Sequence, residues 1–82
     1  MKKFCVTGIT VAELVGKKGD KVRTENSTFD RIVYADDAKS ARDMVHEAVK
    51  AKRSRSTRYY DVRKLTFESL EVFECVISEV GG

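Results

Sequence analysis

The hydrophobic and polar positions of this chain change period along its length. Residues 3 to 15 crowd together β-branched and aromatic side chains: Phe4, Val6, Thr7, Ile9, Thr10, Val11 and Val15. That composition predicts a strand. Its apolar side chains fall on both faces, as in a central strand. Gly8 marks a bulge or a close backbone approach. The segment Gly16-Lys17-Lys18-Gly19-Asp20-Lys21 is turn chemistry, with glycines that permit positive φ and charges that keep the loop in water, so a hairpin is expected. The return is polar from Val22 to Thr28, which reads as a loose edge, and firms into a strand from Phe29 to Ala35.

Asp36 and Asp37 then supply an N-cap and a favourable charge at a helix start. The period becomes 3.6 from Ala38 to Arg53. Ala41, Met44, Val45, Ala48, Val49 and Ala51 share one arc, and Lys39, Arg42, Asp43, His46, Glu47, Lys50 and Arg53 share the other. Beyond residue 60 the pattern is mixed. Tyr60 to Phe67 reads as a strand. From Leu70 to Val80 the acidic residues cluster on one side of a helical wheel, yet Val72, Phe73, Cys75, Val76, Ile77 and Val80 favour strand. One long bulged strand, or two short ones, is the preferred reading, with a C-terminal helix as the alternative. The expected fold is a single α+β domain over residues 1–82, with one antiparallel sheet of β-β-α-β or β-β-α-β-β plan and one helix on one face. The expected core is Phe4, Val6, Ile9, Val11, Ile32, Met44, Val45, Ala48, Val49, Phe73 and Ile77.

Composition narrows the class. The chain is 41% hydrophobic and 35% charged, a balance suited to a folded, soluble protein. No apolar run approaches the length of a membrane span, and the N-terminal run is interrupted by Glu13, so the cytoplasm is the expected compartment. Cys5 and Cys75 show no metal-ligand spacing and are read as small buried hydrophobes, reduced, with a disulfide within reach only if the first and last strands are neighbours. No metal or other cofactor is expected. His46, the one histidine, falls on the polar arc of the helix with no motif around it and reads as a solvated side chain. Carboxylates are interleaved with cations, no small-molecule substrate site is indicated, and no enzymatic activity is expected.

Charge supplies the functional signal. The formal net charge is +3, but residues 38 to 64 hold nine Lys/Arg against three Asp/Glu, while residues 65 to 82 hold four glutamates and no cation. The centre of this asymmetry is K-A-K-R-S-R-S-T-R-Y-Y-D-V-R-K, from Lys50 to Lys64. Lys50, Lys52, Arg53, Arg55, Arg58, Arg63 and Lys64 could neutralise phosphates or meet an acidic surface, and Tyr59 and Tyr60 could stack on exposed bases. The competing reading is a solvated connector, since helix C-termini favour Lys and Arg and an inward Tyr60 would be a core residue.

A strand containing V-T-G-I-T-V, a second ending in V-Y-A-D-D-A-K-S-A, a helix, and a closing L-E-V-F-E-C-V-I-S-E-V together resemble small phage and prophage accessory proteins. These have a β-β-α-β plan and no assigned activity. The resemblance covers about half the chain and carries no catalytic residue across. It implies a non-enzymatic protein that binds an acidic host protein through residues 50–64. The alternative is an RNA- or single-stranded-DNA-binding module using the same residues. A third class is a homodimer joined at its sheet edges.

Overall fold

The computed structural model describes residues 1–18 and 22–75. Three strands and one helix follow in the order β1 (Lys2–Gly16), β2 (Arg23–Ala35), α1 (Ala38–Arg53) and β3 (Tyr60–Glu74). The strands form one antiparallel sheet with β1 at its centre and β2 and β3 at its edges. The apolar character of both faces of β1 had required that central place. The molecule is elongated, 60 × 21 × 19 Å, because strands of up to 15 residues run at about 3.4 Å per residue. A helix of 16 residues spans only about 24 Å. It therefore covers about half of one face of the sheet.

β2 is regular from Arg23 onward and pairs with β1 from Lys2↔Ala35 to Leu14↔Arg23, so the polar stretch is a full strand and not a loose edge. Backbone pairing there does not depend on side-chain polarity. β3 is one long bulged strand, which removes the helical alternative for Leu70–Glu74. Its partner on β1 jumps from Ser69 to Phe67 between Ile9 and Thr10, and from Lys64 to Val62 between Glu13 and Leu14. Glu68 and Arg63 are thus the extra residues of two bulges. These keep Tyr60, Val62, Leu65, Phe67, Leu70 and Val72 in register with the inward positions of β1, although their spacing is not strictly two.

The helix begins at Asp37, whose carboxylate accepts a hydrogen bond of 2.8 Å from the Ser40 amide. That bond holds the Asp37 carboxyl below its usual range. Ala41, Val45 and Val49, four residues apart, form the buried stripe and pack on Phe4, Val6, Phe29 and Ala35, with Val33, Phe67, Leu70 and Val72 around them. Leu14 and Thr10 are also buried.

Several expected core members lie elsewhere. Met44 is 49% exposed and Ala48 is exposed, because a single helix on a narrow sheet buries one row of side chains and leaves the flank of its apolar arc in water. Ile32 and Phe73 are 58% and 54% exposed. Both pair with Cys5, one residue out of phase with the buried Phe4 and Val6, and so they point to the face without a helix. Ile9 and Val11 share that phase and are half-buried. Ile77 lies outside the described residues.

Gly8 is a close approach. A Cβ at this position would collide with the Ser69 carbonyl oxygen and with the Phe29 ring. Phe29 is the direct partner of Gly8 on β2, so the ring lies across the glycine and reaches the edge of the Phe67 ring at 5.9 Å between centroids. Among the described residues no helix is long and apolar enough to cross a membrane.

Candidate functional site

The chain leaves the helix with Lys50, Lys52 and Arg53 in its last turn, where the backbone dipole favours cations. Ser54 closes the helix: its amide and its hydroxyl both donate to the Lys50 carbonyl, at 3.0 and 2.6 Å. Residues 54–59 then cross the end of the sheet to reach β3. This connector is pinned in place. The Thr57 amide donates to the Tyr60 carbonyl at 2.8 Å, and the Thr57 hydroxyl accepts from the amides of Tyr59 and Tyr60 at 3.2 Å each. The Lys17 amide donates to the Tyr59 carbonyl at 3.1 Å, and Lys17 Nζ reaches Asp61 Oδ1 at 2.6 Å. Hydrogen bonds from Lys17 and from Ser56 hold the Asp61 carboxyl below its usual range. The chain just past β1 is therefore tied to the connector at Lys17, an arrangement that sequence spacing gave no means of seeing.

The nine candidate residues divide into two groups. Arg53 and Tyr60 serve the fold. Arg53 turns back over the sheet, where its guanidinium donates to Thr10 Oγ1 at 2.6 Å, the Ser27 carbonyl at 3.1 Å and the Thr28 carbonyl at 2.7 Å. It also lies 5.6 Å from the Phe29 ring centroid. Tyr60 is half-buried opposite Gly16, with the Arg23 guanidinium 5.8 Å from its ring. Lys50, Lys52, Arg55, Arg58, Arg63 and Lys64 are exposed, and among the described residues none of them forms an ion pair. Tyr59 is 74% exposed, with the Arg58 guanidinium 6.0 Å from its ring.

The free cations flank the helix exit on both sides, and each side has an apolar floor. On one side Lys52 and Arg55 rim a cleft of about 280 Å³ floored by Leu14, Val62 and Leu65, with Glu25, Arg53, Thr57 and Tyr60 also on its wall. On the other, Lys50, Arg63 and Lys64 border a second depression against Phe67 and His46. Arg63 is the extra residue of a bulge at the edge of this depression, while Lys64 pairs opposite Glu13 in the phase of the open face. His46 is not free in solvent as its place on the polar arc had suggested. Its ring stacks on Phe67 with centroids 4.2 Å apart and planes 26° apart.

The cysteines take no part in this end of the molecule. Cys5 and Cys75 are free thiols, half-buried on the open face and not fully enclosed as expected. Cys5 Sγ lies 3.2 Å from Asp30 Oδ1, and this hydrogen bond is the main cause that pushes the Cys5 thiol above its ordinary pKa. A thiol held in its protonated form is a poor nucleophile. No protein family, no curated protein and no solved structure matches this chain.

Proposed function

We propose that this chain is a non-enzymatic interaction protein that grips an acidic partner protein through its basic end. The observation that carries the reading is the cleft beside the helix exit. An apolar floor of Leu14, Val62 and Leu65 lies directly beneath a rim of Lys52 and Arg55, which form no ion pair among the described residues. A partner that fills such a site presents an apolar side chain and a carboxylate together, which is the chemistry of a protein surface. The free cations supply orientation and association rate, and the apolar floor supplies residence time. The outline resemblance to phage accessory proteins points the same way, toward a host protein bound in the cytoplasm.

One observation favours a second reading. Tyr59 exposes most of its ring beside Arg58, a pairing on which a single unpaired base could stack. Titration of the protein against acidic protein bait, single-stranded RNA and duplex DNA at low and moderate salt separates the two. The protein reading expects a saturable complex with an acidic partner that survives moderate salt and is lost in Leu65→Ser or Val62→Ser. Nucleic-acid binding expects affinity that falls steeply with salt, with a slope reduced by about one for each of Lys52, Arg55 and Arg58 neutralised. If Lys52→Gln, Arg55→Gln and Arg58→Gln together leave every complex at full affinity, the basic end is only a solvated surface.

A further inference from the structure

The face of the sheet opposite the helix carries more apolar side chain than a solvated face requires. Its central line, on β1, reads Cys5, Thr7, Ile9, Val11, Glu13 and Val15, and four of these six are apolar. Ile32 and Tyr34 on β2 and Phe73 on β3 extend that line sideways, each more than half exposed. The flanks are otherwise polar: Thr24, Asn26, Thr28 and Asp30 on one side, Lys64, Thr66, Ser69 and Glu71 on the other. An apolar centre within a polar rim is the anatomy of a protein interface.

We infer that this face is covered by a second copy of the chain, related by a two-fold axis that crosses the strands at Ile9. Size is the first argument. From Lys3 to Val15, across three strands, the face measures about 41 by about 14 Å, or about 570 Å² in projection. Side-chain relief raises that figure toward the roughly 800 Å² per partner of a stable interface. Two such sheets stack about 10 Å apart, with the helices on the outside.

Charge selects the axis. A two-fold parallel to β1 would set Asp30 of one copy against Glu71 of the other, and Glu13 against Glu13. Like charges placed so are strongly disfavoured. An axis across the strands at Ile9 reverses one copy end to end. Asp30 then meets Asn26, Glu71 meets Thr66, and Glu13 meets Cys5. Each of these three carboxylates gains a neutral neighbour in place of a like charge, and the contact is self-complementary, as a two-fold demands. Ile9 meets its own copy on the axis. The two Cys5 residues stand eight residue steps apart along the strand direction, about 27 Å.

Sedimentation of the whole chain over a concentration series tests the proposal, with circular dichroism to confirm each variant's fold. The expected result is a reversible dimer whose Kd rises by at least about tenfold in Val11→Lys and in the more exposed Ile32→Lys. A short bis-maleimide should link Ile9→Cys to itself in a Cys5→Ser, Cys75→Ser background. The same reagent should fail to link Cys5 to Cys5 in the Cys75→Ser variant. A monomer at every concentration overturns the inference. So does a dimer indifferent to both lysine variants, or efficient linking through Cys5.

Discussion

Removal of the Arg53 guanidinium should destabilise the helix-side face of the sheet and cost less partner affinity than removal of Arg55. The Arg53 group donates three hydrogen bonds, to Thr10 Oγ1 and to the carbonyls of Ser27 and Thr28. Hydrogen bonds to a charged group are worth about 1.5–3 kcal/mol each when sheltered. The Thr28 carbonyl is exposed and regains water in the variant, so it adds little. Thr10 is 1% exposed, and loss of its short contact leaves only a 3.4 Å bond to the Ser27 carbonyl. Contact with the Phe29 ring adds about 0.5–1 kcal/mol. Half-exposure of Arg53 discounts the sum, and about 2–3 kcal/mol remains for Arg53→Ala. That is a large share of the roughly 4–12 kcal/mol expected for a chain of this size, and it corresponds to a melting point lower by at least about 8 °C. Arg53→Lys keeps the charge but loses the fork, and should recover less than half. Urea unfolding of wild type, Arg53→Ala and Arg53→Lys measures the loss. A difference below about 0.5 kcal/mol would refute the clamp. Equal loss of partner affinity in Arg53→Ala and Arg55→Ala, with both proteins folded, would refute its separation from the binding surface.

Gly8→Ala should destabilise by about 1–3 kcal/mol or more, because a Cβ meets the Ser69 carbonyl, which belongs to a paired strand and cannot turn aside; denaturant melts of the single variant decide it. Val45→Asp should prevent folding, since Val45 is 1% exposed, whereas Met44→Asp on the half-exposed flank should cost less than about 1 kcal/mol; thermal melts that ranked the two equally would reverse the helix orientation. Stability should fall in acid as the pH drops through the lowered pKa of Asp37, since a depressed folded-state pKa stabilises above the unfolded value and loses that contribution once the carboxylate is protonated. Asp37→Asn, which retains the capping oxygen without the charge, should flatten that acid limb in a pH series of urea midpoints.

The helix was legible because one period of 3.6 runs unbroken from a capping aspartate to a basic last turn. The central strand was legible because its apolar residues sit on both faces. What could not be read was phase. Phe4 and Cys5 are both apolar, and only the position of the helix decides which row it covers. An error of one residue in that choice moves Ile9, Val11, Ile32 and Phe73 together to the other face. β3 resisted for a different reason. Its inward residues fall at 60, 62, 65, 67, 70 and 72, and each bulge inserts a step of three among steps of two. That spacing matches neither a strict strand nor a helix. At the candidate site, the chemistry of the basic run was visible in the residues. The split between Arg53 and its neighbours was not, because it depends on carbonyls 25 and 26 residues away in the chain.

The opposed charges of the chain raise a final point about that site. Residues 38 to 64 and residues 65 to 82 have net charges of opposite sign, and the two could have cancelled within the fold. β3 prevents this. It starts in the basic cluster, with Arg63 and Lys64 near its first residue, and ends at Glu71 and Glu74, the last of which pairs with Lys2 at 3.8 Å. An extended strand separates Lys64 from Glu74 by about 34 Å. The Debye length at physiological ionic strength is only about 8 Å. Glu74 therefore does little to offset the field at the helix exit. A fold with a compact sheet would have brought the glutamates back over the lysines. The length of the strands thus favours the proposed site, because it keeps the exposed cations of the helix exit, the connector and β3 away from Glu74.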